Sequence, residues 1–258
     1  ATVGEIREGA LIGVTEAVVA IAQGNFATPE DIQADIARHY PNARELTILF
    51  PIQSRNRFMN IPRAISAMTQ IEEMHVVLLY PCDEVGNRLV SDEVLLEAGV
   101  NPYSDSFTAK EFYERFGKPQ HPFTGKDYIE EFENACAGKG NIILSNDPMA
   151  TEHFSNNVLV CTIREGKRAL HKKLNAKNGT ATVWGLDDIL SEPINGSGYS
   201  PYGLFGSNMM DGGILKLMPR NCQQFVCELQ NEIMKEYGVH VEAIVYGDGA
   251  FKDPVGEI

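Results

Sequence analysis

The chain predicts an α/β or α+β protein: a mixed sheet with flanking helices. Strand-like apolar runs alternate with segments that carry helix caps, which argues against a sandwich or a bundle. The sequence shows no internal repeat and no low-complexity tract. A hydrophobic fraction of 43% over 258 residues can fill a sizeable core.

Residues 10–15 form a short apolar run that leads into the Ala/Val-rich stretch 16–23. A helix opens at Thr28-Pro29-Glu30-Asp31, where Thr28 caps, Pro29 suits the first turn and the acids favour the positive helix end. Residues 46–50 read as a strand, 61–73 as a helix and 75–80 as a second strand. Ser91 and Gly99 bracket a helix containing Val94, Leu95 and Leu96. Thr108-Ala109-Lys110-Glu111 is a capping box, and Gly117 stops that helix. A strand over 142–145 ends at Asn146-Asp147-Pro148, with Asp147 as an N-cap and Pro148 at the first helical position. The strand 158–163 is followed by a basic helix, 164–176, and a further strand, 180–186. Phe225, Leu229, Ile233 and Tyr237 recur every four residues, which predicts an amphipathic helix over 221–237 ended by Gly238. The β-branched run 239–245 after it reads as a buried strand. Residues 191–219 are the one long irregular region, polar and glycine-rich, and long loops of that kind tend to carry function.

Charge narrows the function classes. The net charge of −13 repels nucleic acid and anionic membrane surfaces, so neither is an expected partner. No run of eighteen apolar residues spans a membrane, and no signal peptide is visible. The five cysteines are odd in number and show no CxxC spacing, which disfavours a disulfide framework or structural zinc and predicts a cytoplasmic home. Cys161 lies in an apolar run and reads as core. The six histidines show no HxxxH or HxH pair, so a zinc hydrolase has little support. No Gly-x-Ser-x-Gly elbow is present. The chain starts without Met and stops four residues after Pro254, which predicts truncation at both ends.

Two acidic strand ends carry the chemistry. Val245-Tyr246-Gly247-Asp248-Gly249-Ala250-Phe251-Lys252-Asp253-Pro254 turns at two glycines and presents Asp248, Lys252 and Asp253 together. Tyr80-Pro81-Cys82-Asp83-Glu84-Val85-Gly86-Asn87 is the second. Carboxylates at strand ends suit Mg²⁺ or Mn²⁺ bridging to substrate phosphates, with Lys252 as a mobile phosphate partner. Each segment also reads as a tight turn with solvated charges. Arg55 and Arg57 project to one side if Ser54-Arg55-Asn56-Arg57 stays extended, and two guanidinium forks suit a phosphate or carboxylate. Pairing with the protein's own acidic surface is the alternative. The loop 195–208, with Ser197 and Asn208, offers N–H groups and small polar side chains for phosphates but matches neither a P-loop nor a dinucleotide fingerprint. Asn146-Asp147 reads equally as a guanine reader and as a helix cap.

These residues resemble a known family. Val14-Thr15-Glu16-Ala17-Val18-Val19-Ala20-Ile21-Ala22-Gln23-Gly24 is similar to the early V-T-x-x-x-V-x-x-A-x-G segment of coenzyme F-420 gamma-glutamyl ligases. Asp83-Glu84-Val85-Gly86-Asn87 resembles their V-D-E-S-N, and Tyr246-Gly247-Asp248-Gly249 falls where they have T-D-T. A ligase-like subgroup is closer still, through Ser54-Arg55-Asn56-Arg57-Phe58, Tyr80 to Asn87, Asn195 to Tyr199 and Tyr246 to Gly256.

The resemblance implies a single gamma-glutamyl ligase-like domain over 1–258 that is a GTP-dependent (or ATP-dependent), metal-dependent ligase and a homodimer. It would join L-glutamate or a similar amino acid to a phosphate-bearing acid through an acyl phosphate. Asp83 and Asp248 would then be metal carboxylates, with Asp253 beside them and Glu84 and Asn87 in support. Asp83, Glu84, Asp248 and Lys252 form the expected catalytic set. On their own chemistry rather than by the resemblance, Arg55, Arg57, Ser197 and Asn208 join Asn87 as the expected nucleotide or phosphate set, and Lys252 joins the catalytic one. Gly86 and Gly249 replace two family hydroxyls. That departure motivates the alternatives of a non-catalytic metal- and nucleotide-binding protein or a metal-dependent phosphatase.

Overall fold

The computed structural model describes residues 5–121, 124–176 and 181–247. Its main sheet has six strands in the order β5-β6-β4-β3-β7-β8, with β3 (Glu45–Leu49), β4 (Glu73–Leu78), β5 (Phe107–Thr108), β6 (Gly140–Leu144), β7 (Asn157–Val160) and β8 (Thr182–Gly185). Five of these run parallel, and only β5 at the edge is antiparallel. Strands of a parallel sheet are covered on both faces and read as continuous apolar runs, as β3 and β4 do. Leu46 and Ile48 of β3 and Met74, Val76 and Leu78 of β4 face the larger core. There they meet Ile32 and Ile36 of α2 (Pro29–His39), Ile61 and Ile65 of α3 (Asn60–Ser66) and Phe132 of α6 (Tyr128–Ala135). The opposite face packs Leu49, Phe50, Val77, Val158 and Val160.

Two smaller sheets flank this one. β1 (Ala10–Thr15) pairs in parallel with β11 (Val241–Tyr246), and β2 (Phe26–Ala27), β10 (Leu215–Lys216) and β9 (Asn208–Met209) form an antiparallel ribbon. The remaining helices are α1 (Glu16–Ala22), α4 (Asp92–Glu97), α5 (Ala109–Phe116), α7 (Glu165–Asn175) and α8 (Cys222–Tyr237). None of the described helices is long and apolar enough to cross a membrane.

The caps act as their residues dictate. Thr28 and Asp31 form a reciprocal capping box, as do Thr108 and Glu111, and the Ser91 hydroxyl accepts from Val94 N. Several expected elements differ. The helix expected over 61–73 stops at Ser66, because Met68 and Ile71 fold into the core and Glu72 N bonds Arg44 O to start β4. Asp147 accepts from Met149 N but opens a turn into a short 3-10 helix, Ala150–His153, rather than an α-helix. The strand 239–245 is half-exposed rather than buried: among the described residues β11 has one neighbour, and Ile244 and Tyr246 stay 47% and 45% exposed. For the same reason the α8 stripe is thin. Among the described residues it covers a sheet two strands wide, so Ile233 is buried while Tyr237 is exposed.

The region 191–219 is ordered by packing rather than irregular throughout, and it contains β9, β10 and a 3-10 turn, Asp211–Gly213. Gly198 N donates to Phe26 O, Tyr199 N donates to Asn25 Oδ1, and a Cβ on Gly198 would lie 2.6 Å from Phe26 N. Glycine is required there for backbone to meet backbone.

Candidate functional site

In open parallel sheets, ligands gather outside the strand carboxyl ends where the strand order reverses. Here β3 comes first, β4 and β6 extend the sheet to one side, and β7 and β8 extend it to the other. The reversal therefore lies beside β3, and the loops leaving β3, β4 and β7 overhang it.

The loop after β3 begins under strain. Phe50 has φ of 57°, a left-handed backbone that a bulky residue seldom adopts. Gln53 Nε2 donates to Leu79 O at 2.6 Å, which ties this loop to the one after β4. The Ser54 hydroxyl donates to Asp83 Oδ2 at 2.5 Å and accepts from Asn87 Nδ2 at 2.7 Å. Ser54 N also reaches Asp83 Oδ2, at 3.3 Å. Oδ1 of the same carboxylate accepts from Val85 N at 3.1 Å and Asn87 N at 2.9 Å. Asp83 is thus buried at the centre of a small turn that it holds closed. Gly86 completes that turn at φ of 87°, so glycine here answers a backbone need, whatever a serine does in the family pattern.

Glu84 reaches the other way. Its Oε2 accepts from Ile163 N at 2.7 Å, joining the loop after β4 to the loop after β7. Burial raises the Glu84 carboxyl above the usual carboxylate range, partly offset by the Ile163 hydrogen bond and by Lys167 and Arg164. The β7 loop is held in turn by buried Arg168. Its guanidinium donates to Thr162 O and Ile163 O at 3.2 Å, pairs with Asp187 at 2.9 Å and lies over the Phe205 ring.

The arginines flank this knot. Arg55 is extended and donates to Ser54 O, but at Asn56 the chain enters a 3-10 helix, Asn56–Met59, so Arg55 and Arg57 do not share the side of an extended strand. Arg57 lies over the Phe58 ring, 5.2 Å from its centre. Asn208 in β9 is brought near, since β9 packs on that 3-10 helix. Ser197 is not placed there by its bonds: its hydroxyl accepts from Ile194 N and donates to Gly198 O within its own turn. Asn146 is fully engaged with Tyr80 N, Tyr80 O and Pro102 O, which makes it a clamp between loops rather than a base reader. Asp248, Lys252 and Asp253 lie outside the described residues.

The described polar groups form no cage for a divalent metal by themselves. A carboxylate offers about four acceptor positions, and all four on Asp83 are taken. Among the described residues no group of three His, Cys, Asp or Glu side chains could hold an ion. Arg55 and Arg57 bracket Asn56 at the start of the 3-10 helix, next to this knot, in a chain of net charge −13.

Inspection of charge alone misses Ser54, Asn56, Tyr128 and Arg168. His121 lies edge-on to Tyr128 with ring centres 5.7 Å apart, and both rings sense Arg55 and Asp83. The signal for Ser54 and Asn56 was their place beside the two arginines.

The fold is that of an α/β protein in which three loops are knotted together over the carboxyl ends of a parallel sheet. Residues 1–258, the whole chain, match the family model described as F420-0:Gamma-glutamyl ligase, and the chain belongs to that family. No curated protein and no solved structure matches it.

Proposed function

We propose that the protein forms an amide bond between the amine of L-glutamate, or a similar amino acid, and the carboxylate of a phosphate-bearing small acid. The observation that carries this reading is the knot of three loops over the strand-order reversal, Ser54–Asp83–Asn87 on one side and Glu84–Ile163 on the other, with Arg55 and Arg57 beside it. The family supplies the reaction class.

The acceptor carboxylate attacks the terminal phosphorus of GTP or ATP, releasing the diphosphate and giving an acyl phosphate. The amine then attacks the acyl carbon, phosphate leaves, and the amine loses a proton. Arg55 and Arg57 are assigned to the phosphates, whose planar oxygen sets match a guanidinium fork. Glu84 is assigned to the proton: it is a half-buried carboxylate with a raised pKa, suited to take one from the ammonium. Asp83, Asn87 and Ser54 hold the loop geometry. Mg²⁺ or Mn²⁺ belongs to the proposal as a companion of the nucleotide phosphates, but the described residues form no cage for it and no step above runs through it. A homodimer also belongs to the proposal, and the apolar row of Leu11, Ile244 and Tyr246 is the surface it would cover.

The test is nucleoside diphosphate release by the full chain with a phosphorylated carboxylic acid, with and without L-glutamate. Release that requires both, with a product heavier by one glutamyl residue, supports the reading. Phosphate release with no amino acid consumed points instead to a phosphatase, and nucleotide binding without turnover to a non-catalytic binder.

A further inference from the structure

Two buried polar side chains near the Ser54–Asp83 knot have no partner. Asn56 is 6% exposed and neither of its amide atoms makes a hydrogen bond; Tyr128 is 1% exposed and its hydroxyl makes none. Buried polar groups are nearly always paired, so a pair of orphans at one place calls for an explanation. They come from separate elements. Asn56 opens the 3-10 helix Asn56–Met59, Tyr128 opens α6, and those elements pack together.

The surroundings define the chemistry. Tyr128 and His121 both sense the Arg55 guanidinium and the Asp83 carboxylate. His121 Nδ1 accepts from Thr124 N at 3.2 Å, which fixes the ring beside Tyr128. An unpartnered amide and an unpartnered phenol O–H thus lie on packed elements close to a guanidinium. Asp83 opposes an anion there, but its oxygens are already turned to four donors of its own loops. A set of neutral donors around one cation is what a phosphate or carboxylate needs.

We propose that Asn56, Tyr128 and Arg55, with His121 alongside, form an oxyanion pocket that takes a phosphate or carboxylate group. The pocket stands on the orphaned groups; only the identity of the substrate that carries the oxyanion rests on the ligase reading.

The experiment is calorimetric titration of the full chain with orthophosphate and, separately, with L-glutamate, repeated on Tyr128→Phe and Asn56→Ala. Melting curves without ligand accompany each variant. An orphaned hydroxyl contributes nothing to the unliganded fold, so Tyr128→Phe is expected to melt at or above the wild-type temperature. Both variants are expected to bind the effective probe at least tenfold more weakly. The probe that binds identifies the oxyanion as phosphate or carboxylate. The proposal is overturned if neither probe binds the wild type, if both variants bind as the wild type does, or if Tyr128→Phe melts well below it, since the hydroxyl would then have a structural partner. Weakened binding in the variants of a wild type that never ligates would uphold the pocket and sink the ligase reading. Unchanged binding with intact turnover would do the reverse.

Discussion

Replacing Asp83 by Asn probes the turn at the heart of the site. Asp83 is 4% exposed, and its oxygens accept from Ser54 N, the Ser54 hydroxyl, Val85 N and Asn87 N. Asparagine keeps one acceptor oxygen and turns an N–H₂ toward the other pair of donors. Whichever way the amide is flipped, two hydrogen bonds are lost and donors face donors. Hydrogen bonds to a charged acceptor contribute about 1.5–3 kcal/mol each. Val85 and Asn87 are only half-buried and water can reach them, so the lower figure applies and the loss comes to about 3 kcal/mol. For a chain of this size that is a fall of roughly 6–12 °C in melting temperature. The assay is thermal unfolding of both proteins in chelator, without nucleotide. Ser54→Ala supplies a cycle: it shares a bond with Asp83, so the double variant should lose less than the sum of the singles. A melting temperature within about 2 °C of wild type would refute the reasoning, since Asp83 would then not anchor the turn. The prediction also warns that weakened nucleotide binding in Asp83→Asn does not by itself identify a metal ligand.

Other outcomes follow from the same geometry. Glu84→Gln keeps an acceptor for Ile163 N but removes a charge that burial disfavours. The folded pKa is raised, so the cost of the charge is absent below the ordinary value of 4.5 and grows as pH rises through the folded value. Melting curves at several pH values should therefore show Glu84→Gln at or above wild type near neutrality and level with it in acid, while glutamate-dependent turnover falls about 100-fold or more. Gly86→Ser restores the family's hydroxyl but places a side chain at φ of 87°, and equilibrium denaturation should show a loss of about 1–2 kcal/mol. Burial lowers the pKa of His75 and of His171, so both favour the neutral ring in the folded state. Their contribution is present above the ordinary value of 6.5 and lost as pH falls through the folded values, and His75→Gln should flatten the acid side of the stability profile.

Much of this fold is written in local chemistry. Thr28 with Asp31, and Thr108 with Glu111, announce helices because a short side chain and a carboxylate three residues on satisfy the free N–H groups wherever they occur. β3 and β4 announce themselves because a doubly covered strand has no polar face. The stop of α3 at Ser66 was not legible, since tertiary need recruits Met68 and Ile71 for the core against an unbroken helical pattern. Nor was the exposure of β11, which has one neighbour among the described residues. At the site, the strand-end acids drew notice as charges, yet Asp83 acts as a turn anchor and Glu84 as a tether. Asn56 and Tyr128 are brought to one region by the packing of α6 on the 3-10 helix, which no spacing in the chain reveals.

The most direct test of the central claim, that ligand binds over the carboxyl ends of β3, β4 and β7, is amide hydrogen exchange of the full chain. It would be measured with and without GTP, Mg²⁺ and L-glutamate. The account predicts slowed exchange in residues 50–56, 79–91 and 161–164, and in the start of α6. Protection confined to 191–219 or to the β1–β11 sheet, with those loops unchanged, would contradict it.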